Sequence, residues 1–173
     1  MLLWILMIVG SVLLDQVSKR LVVAFLMEKG SVDVIPNVLR FTYVENRGAA
    51  FGMLSEHRWI FMVVSTIAIL AMLIYLWKFR PESKLACAAI SLIVGGGIGN
   101  MIDRVYLDYV IDFIDFCAFD FWVWVFNIAD ACVCVGGGLL LLWCVLSLIQ
   151  ESRADKKNSE ADEERTEEQK EQE

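Results

Sequence analysis

The stretch W-I-F-M-V-V-S-T-I-A-I-L-A-M-L-I-Y-L-W at residues 59–77 decides the fold, because it runs for 19 residues without a charged side chain. A helix needs roughly 20 apolar residues to cross about 30 Å of hydrocarbon. Residues 85–102 and 131–149 are two more uncharged stretches of about that length. A fourth apolar segment begins at Met1 and is interrupted by a few charged residues. We therefore predict four membrane spans, at about residues 1–27, 59–77, 85–102 and 128–149.

The first of these spans has the apolar character of a secretory signal peptide. Signal peptides begin with basic residues and end at a cleavage site flanked by small residues. No basic residue precedes this span and no small-x-small pattern follows it. We therefore expect the span to be retained.

The composition of the chain also argues against a soluble domain. Hydrophobic residues make up 58% of the 173 residues, and the mean hydropathy is +0.58. A chain of this size buries only about two-thirds of its surface in its own core. The net charge is −7, and residues 151–173, with ten acids and five bases, account for −5 of it. Nucleic-acid binding needs a basic surface, so nucleic acid is excluded as a partner.

Basic residues predict the orientation of the spans. Lys78, Arg80 and Lys84 lie between spans two and three, and three more bases follow span four. Because cytoplasmic loops are enriched in Lys and Arg, we expect both termini in the cytoplasm and residues 28–58 and 103–127 outside.

The outer connection at residues 28–58 contains L-R-F-T-Y-V, whose alternation predicts a short strand at the membrane surface. The predicted fold class is an all-α membrane protein of four transmembrane helices with a small β-containing outer subdomain. Residues 1–150 form its membrane domain. Residues 151–173 form an acidic cytoplasmic tail that is either disordered or an extended helix.

Polar residues gather at the outer ends of these predicted spans. Polar side chains at membrane depth are costly, and they usually mark a functional site or a paired structural contact. The inner ends carry almost only flanking bases. The outer set is Asp15 and Lys19 in span one, Asn100, Asp103 and Arg104 at the end of span three, and Asn127 and Asp130 at the start of span four.

Carboxylates dominate the outer connection, because residues 103–130 hold six acids and one base. Two carboxylates that approach closely share a proton, the state in which an aspartic protease activates water without a metal or cofactor. Asp108 and Asp120 are expected to be solvated loop residues. Asp130 begins span four, where the helix dipole favours an acid. Asp112 and Asp115 both lie in V-I-D-F-I-D-F, and spacing does not choose between them.

Several of these residues have an alternative structural interpretation. Gly96, Asn100 and Asp103 share one helical face, which is either a packing face with an Asp103–Arg104 ion pair or part of a site. In the second case Arg104 holds a catalytic carboxylate in place.

Two further features also fit a structural role. Asp15 and Lys19 are spaced for a neutralised intramembrane pair. Asn127 fits a helix cap and Asn46 fits a turn. The five cysteines lack metal-ligand spacing and are expected to act as small hydrophobic residues.

Five motifs taken together resemble those of bacterial lipoprotein signal peptidase, the type II signal peptidase. They are D-Q-V-S-K at 15–19, N-R-G-A-A-F at 46–51, G-G-x-x-G-N-x-x-D-R at 95–104, V-I-D-F at 110–113 and F-N-I-A-D at 126–130. They occur in order from span one to span four. The tail after about residue 150 lies outside the resemblance.

The resemblance implies an aspartic endopeptidase of the bacterial inner membrane with its active site at the outer leaflet. Such an enzyme, acting as a monomer without metal or cofactor, removes signal peptides from prolipoproteins and cleaves before the diacylglyceryl-modified cysteine. By motif, the catalytic residues are Asp112 and Asp130. The supporting or substrate-binding residues are Asp15, Lys19, Asn46, Gly96, Asn100, Asp103, Arg104 and Asn127.

Two other classes of membrane protein compete with this interpretation. An ion-coupled transporter uses membrane carboxylates but usually contains internal repeats, and this chain has none. Presenilin-type and prepilin-type peptidases use a Gly-x-Gly-Asp motif. No Asp in this sequence is preceded by Gly-x-Gly.

Overall fold

The computed structural model describes residues 1–48, 58–119 and 121–171, without the side chains of Arg58, Phe61 and residues 157–171. Among these residues, four helices are long and apolar enough to cross a membrane, and a small antiparallel sheet accompanies them. The predicted fold class is therefore confirmed. The elements in chain order are α1 (Leu2–Leu26), β1 (Ser31–Ile35), β2 (Leu39–Asn46), α2 (Arg58–Ile74, continued by a π-helical turn at Tyr75–Phe79), α3 (Lys84–Tyr106), β3 (Val110–Phe116), β4 (Val125–Phe126) and α4 (Ile128–Glu171).

Helix α3 lies at the centre of the bundle. Half of its most apolar window is buried, compared with 6% for α2 and for α4. A Cβ built on Gly95 would lie 2.7 Å from the Cβ of Ser11 in α1, and a Cβ on Gly96 would collide with the carbonyl oxygen of Ala129 in α4. The glycines therefore let the backbones of α1 and α4 approach α3 closely. This packing brings the start of α4 against the second half of α3.

Helix α4 continues without a break from the membrane segment into the acidic tail. The sequence left a disordered tail or an extended helix open, and the structure has a helix to Glu171. Glu, Lys, Arg and Gln dominate this segment, and all four are good helix formers.

The four strands form one antiparallel sheet in the order β1-β2-β3-β4. Strand β2 confirms the strand predicted from L-R-F-T-Y-V, and its register with β3 shifts between Phe41 and Val44. Strand β3, which is V-I-D-F-I-D-F, was not predicted. Five of its seven residues are buried, so it has apolar side chains on both faces and lacks the alternation of a half-buried strand. Ile111 and Phe113 pack against Val22 and Leu26 of α1 and hold the sheet on the bundle.

Candidate active site

Lys19 is the centre of a buried ion cluster. Its Nζ lies 2.8 Å from Asp15 Oδ2 and 2.8 Å from Asp103 Oδ2, and it donates to Asn100 Oδ1 at 3.0 Å. Lys19 is 1% exposed, Asp15 0% and Asp103 3%. Buried charges persist only when they are paired and hydrogen-bonded, and here all three ammonium donors have an acceptor. The predicted Asp15–Lys19 pair is confirmed, with Asp103 as a second carboxylate partner.

The two carboxylates of this cluster also bind the backbone of other elements. Asp15 Oδ1 accepts from the Ala129 amide in the first turn of α4 at 2.9 Å, and Asp103 Oδ2 accepts from the Ile111 amide of β3 at 3.2 Å. A Cβ on Gly99 would lie 2.6 Å from Asp15 Oδ2, so only glycine leaves room for that carboxylate. The cluster therefore ties α1, α3, α4 and the sheet together at one point.

Two asparagine side chains connect the ion cluster to a second pair of carboxylates. Asn127 Nδ2 donates to Asn100 Oδ1 at 3.0 Å and to Asp112 Oδ1 at 2.6 Å. Asn100 Nδ2 donates to Asp130 Oδ1 at 2.7 Å. Because Asn100 also accepts from Lys19, its amide orientation is set by that ammonium group. One chain of hydrogen bonds thus brings Asp112 and Asp130 to the same place.

Asp112 is the more deeply buried carboxylate of this second pair, with 2% of its surface exposed. Asn46 Nδ2 donates to its Oδ2 at 2.8 Å, so each oxygen accepts from one amide. Burial, and then the negative charge of Asp130, raise the pKa of Asp112 to about 7, while the hydrogen bonds from Asn46 and Asn127 act in the opposite direction. Asp112 is therefore a carboxyl group that exchanges its proton near neutral pH.

Asp130 is held by the helix cap at the start of α4. The Asp130 amide donates to Asn127 Oδ1 at 2.9 Å, and the Asn127 amide donates to Asp130 Oδ2 at 3.3 Å. This reciprocal arrangement is a capping box. The proposed capping role of Asn127 and its role beside the carboxylates are therefore both real, since its Oδ1 caps the helix and its Nδ2 binds Asp112.

The structure does not form the ion pair between Asp103 and Arg104 that the sequence left open as one of two alternatives. Asp103 binds Lys19 instead, and Arg104 Nη1 donates to the carbonyl oxygen of Asn100 at 3.2 Å. Adjacent residues on a helix point in directions about 100° apart, so Asp103 faces α1 while Arg104 faces away from it. The Arg104 guanidinium interacts electrostatically with the charges of Asp130, Asp112 and Asp103, which fits the alternative of an arginine beside the carboxylate pair.

Asp115 lies away from the Asp112–Asp130 pair. Residues three apart on a strand point to opposite faces of the sheet. Asp115 Oδ2 accepts from Arg40 Nε at 2.6 Å and from Thr42 Oγ1 at 3.3 Å. The structure therefore separates the two aspartates of V-I-D-F-I-D-F, and only Asp112 joins the polar cluster.

Gln16 is a member of the cluster that the sequence analysis did not select. Its Nε2 donates to Asp103 Oδ1 at 2.8 Å and to the Gly99 carbonyl at 3.1 Å. Its position three residues before Lys19, inside D-Q-V-S-K, was the available signal. The amides of Ala129 and Ile111 were also missed, because backbone donors leave no mark in a sequence.

The remaining predictions fall outside this cluster. Asp108 is exposed and lies in a turn with a φ of 71°. Asp120 and residues 49–57 of the outer connection, which include the end of N-R-G-A-A-F, lie outside the described residues. Within residues 1–48, 58–119 and 121–171, no group of three His, Cys, Asp or Glu side chains is placed to hold a metal ion.

The structure thus brings ten predicted residues to one end of a four-helix membrane bundle. Two asparagine amides link two carboxylates there, buried Asp112 and half-buried Asp130, and the pKa of Asp112 is raised to about 7. This combination is typical of a membrane-embedded aspartic peptidase. The ten residues are Asp15, Lys19, Asn46, Gly96, Asn100, Asp103, Arg104, Asp112, Asn127 and Asp130.

Comparison with known proteins identifies the family. The family model described as signal peptidase (SPase) II matches residues 7–146. A lipoprotein signal peptidase from Clostridioides difficile (strain 630) is 43% identical over 152 residues, which cover 88% of this chain and 99% of the relative. Another from Symbiobacterium thermophilum is 41% identical over 142 residues, covering 82% and 93%. The chain belongs to the signal peptidase II family.

Solved structures agree with this assignment. One described as a bacterial membrane enzyme structure by the in meso method at 2.3 Å resolution superposes with a TM-score of 0.73 at 34% identity, covering 86% of this chain and 88% of that chain. A second, at 1.9 Å resolution, gives a TM-score of 0.74 at 35% identity, covering 82% and 91%. At these identities the likeness includes the sequence as well as the fold.

Proposed function

We propose that Asp112 and Asp130 are the catalytic carboxylates of a membrane aspartic endopeptidase that removes signal peptides from prolipoproteins. The observation that carries this proposal is the chain of hydrogen bonds from Asp112 through Asn127 and Asn100 to Asp130. It holds two carboxylates beside each other in a buried site. Family membership supports the reaction, and the geometry supports the choice of residues.

The reaction needs one of the two carboxyl groups ionised and the other protonated. The ionised group takes a proton from water, and the water oxygen attacks the scissile carbonyl carbon. The protonated group donates to the carbonyl oxygen, and a proton then passes to the leaving amine as the C–N bond breaks. The raised pKa of Asp112 supports a shared proton at neutral pH. The two groups titrate as a unit, so neither is assigned as base or acid.

The other polar residues act as positioning residues. Lys19, Asp15 and Asp103 fix α1, α3 and the start of α4, which orients Asn100 and the capping box that holds Asp130. Asn46 fixes the second oxygen of Asp112. Gly96 permits the close contact between α3 and α4, and Arg104 supplies a positive charge beside the pair.

The substrate is a prolipoprotein whose cysteine carries a diacylglyceryl group, and cleavage occurs just before that cysteine. A lipid-anchored precursor has its scissile bond at the edge of the bilayer. The carboxylate pair lies at the ends of α3 and α4 beside the sheet, where it meets such a bond. We propose that the enzyme acts as a monomer.

The active site faces the outer side of the bacterial cytoplasmic membrane, with both termini in the cytoplasm. The basic turn between α2 and α3 lies at the opposite end of the bundle from the sheet, which supports this orientation through the positive-inside rule. Residues 151–173 then form a cytoplasmic tail separate from the membrane domain.

The test of the proposed pair is turnover of a lipidated precursor by purified single variants. We expect Asp112→Asn and Asp130→Asn each to abolish cleavage while the folded protein still binds the precursor, because an amide cannot exchange the proton. The double variant should be no worse than either single one. Asp115→Asn is the matched control from the same strand and should retain substantial activity. If Asp112→Asn were active and Asp115→Asn inactive, the catalytic residue would be Asp115 and the proposal for Asp112 would be wrong.

The orientation is tested by labelling single cysteines on a cysteine-free background. Lys29→Cys follows α1 beside the sheet, and Glu82→Cys lies in the turn before α3. A membrane-impermeant maleimide added to intact cells should label the first and not the second. Labelling of both from outside would contradict the four-span orientation.

A further inference from the structure

Arg20 is a charged residue that the proposed catalytic mechanism does not use. It follows Lys19 on α1 but is exposed, and no hydrogen bond or ion pair joins it to the parts of the chain that the structure describes. It lies six residues before the last residue of α1, which is about 9 Å along the helix axis. A charged side chain on a membrane span is costly unless it meets a partner.

Arg20 lines a groove of about 640 Å³ between α1 and α3. The α1 wall continues with Val23, Ala24 and Met27, and α3 contributes apolar and aromatic side chains that include Ile102. Spacings of three and four residues place the α1 side chains on one helical face. Neither Asp112 nor Asp130 lines this groove, whereas Gln16, Lys19 and Asp103 of the ion cluster do, so the groove lies next to that cluster and does not include the proposed catalytic pair.

The mouth of the groove lies beside the sheet and contains two tyrosines. The hydroxyl groups of Tyr43 and Tyr109 are 3.4 Å apart, and both residues line the groove. Glu45 accepts a hydrogen bond from the Tyr43 hydroxyl at 3.2 Å, and Arg47 neutralises it at 2.8 Å while also lying 5.4 Å from the centroid of the Tyr109 ring. Asp103, the acid that lines the groove, is paired with Lys19 at 2.8 Å. Glu45 is therefore already paired, and the charge of Arg20 remains available.

We propose that this groove binds one anionic phospholipid, with its phosphate on the Arg20 guanidinium and an acyl chain along Val23 and Ala24. Guanidinium groups bind phosphate oxygens through two parallel hydrogen bonds, and basic pockets between spans bind anionic headgroups. The apolar wall below the Arg20 guanidinium and two hydroxyl groups matches a lipid better than a free phosphate, and the other cation of the groove, Lys19, is already paired with Asp15 and Asp103. The inference goes beyond the peptidase reaction and needs only that this end of the bundle meets the membrane surface.

The experiment uses the full chain, delipidated in a neutral detergent and titrated with phosphatidylglycerol, phosphatidylcholine or inorganic phosphate while bound molecules are counted by native mass spectrometry. Wild type should retain one phosphatidylglycerol molecule in preference to phosphatidylcholine, and inorganic phosphate should not replace it. Arg20→Gln should weaken that binding at least about tenfold, which corresponds to roughly 1.4 kcal/mol.

Three further variants distinguish a specific lipid-binding site from nonspecific attraction of Arg20 to the lipid headgroups. Ala24→Phe fills the groove without changing the charge and should also lose the lipid, whereas an arginine that merely reaches the headgroup layer would be unaffected by it. Arg153→Gln removes the same charge from the exposed side of α4 and should bind as wild type. Arg20→Lys should show intermediate binding.

Two results would overturn the proposal. Equal retention of phosphatidylglycerol by wild type, Arg20→Gln and Ala24→Phe would mean that no such site exists. An unchanged lipid count, together with a KM for lipidated precursor raised equally in anionic and neutral bilayers, would mean that the groove holds substrate instead. Both readouts are independent of whether Asp112 and Asp130 are the catalytic pair.

Discussion

Replacement of Asp112 by Asn should raise the stability of the protein at high pH, and the gain should shrink as the pH falls. The folded state raises the pKa of Asp112 from 3.8 to about 7, chiefly through burial. Between these two values the folded protein binds more protons than the unfolded chain, so the stability of wild type falls as the pH rises through this window. Above about pH 7 the buried carboxylate is charged, and the full free-energy cost of burying that charge lowers the stability of the folded state.

The size of the effect follows from two opposing contributions. A pKa difference of 3.8 to about 7 corresponds to roughly 4 kcal/mol at 1.36 kcal/mol per pKa unit. Asn at this position removes that cost but places an NH₂ donor against Asn46 or Asn127, both of which donate to Asp112. The lost hydrogen bond costs about 1–3 kcal/mol. At about pH 8 we therefore expect Asp112→Asn to be more stable than wild type by about 1–3 kcal/mol.

The assay is thermal unfolding of both proteins in detergent across the range from about pH 5 to pH 8. At about 2–4 °C per kcal/mol for a chain of this size, the variant should melt several degrees higher than wild type at the upper end of the range, and this difference should shrink towards the acidic end. Asp115→Asn is the control. Its carboxylate is bound by Arg40 at 2.6 Å, so the variant should be less stable than wild type at neutral pH. A variant Asp112→Asn that melts below wild type at pH 8 would refute the raised pKa.

Three further predictions concern activity, packing and the tail. The kcat/KM for a lipidated precursor should fall as the pH rises through about 7, because Asp112 and Asp130 then lose their shared proton; a flat profile to pH 9 would contradict this. Gly96→Ala should lower stability by about 1–3 kcal/mol and impair turnover, because the new Cβ would collide with the Ala129 carbonyl, whereas Gly138→Ala, which has nothing within 4 Å, should be tolerated. A chain ending at Lys157 should keep its activity within about tenfold, roughly 1.4 kcal/mol, because the apolar part of α4 separates the tail from the site at the start of that helix; a larger loss in a folded protein would show a role for the tail.

Interactions close in sequence were the ones that the sequence predicted well. The four spans follow from uncharged stretches of about 20 residues, since the bilayer core imposes that length whatever the partners of each helix are. The Asp15–Lys19 pair follows from the helical repeat, because residues four apart are neighbours on any helix. The capping box of Asn127 and Asp130 lies within three residues of chain.

The resemblance to a family selected Asp112 over Asp115, which spacing alone did not, and the structure explains why the two residues differ. Spacing left Asp112 and Asp115 equivalent. Strand β3 turns them to opposite faces, so Asp112 meets Asn46 and Asn127 while Asp115 meets Arg40 and Thr42. The two alternatives for Asp103 and Arg104 stayed open for the same reason, because sequence adjacency does not tell which helix each side chain faces.

By itself, then, the sequence determined the number of spans, the class of chemistry and the end of the bundle where the polar residues lie, because these depend on hydrophobic length and on local periodicity. Only the tertiary structure decided which partners those residues have. Lys19 binds Asp103, which lies 84 positions later in the chain, and Asn46 binds Asp112, which lies 66 positions later. Such contacts depend on how α3 packs against α1 and α4 through its glycines and on the register of β2 with β3. Both are properties of the assembled bundle, since a helix or strand alone exposes every face equally.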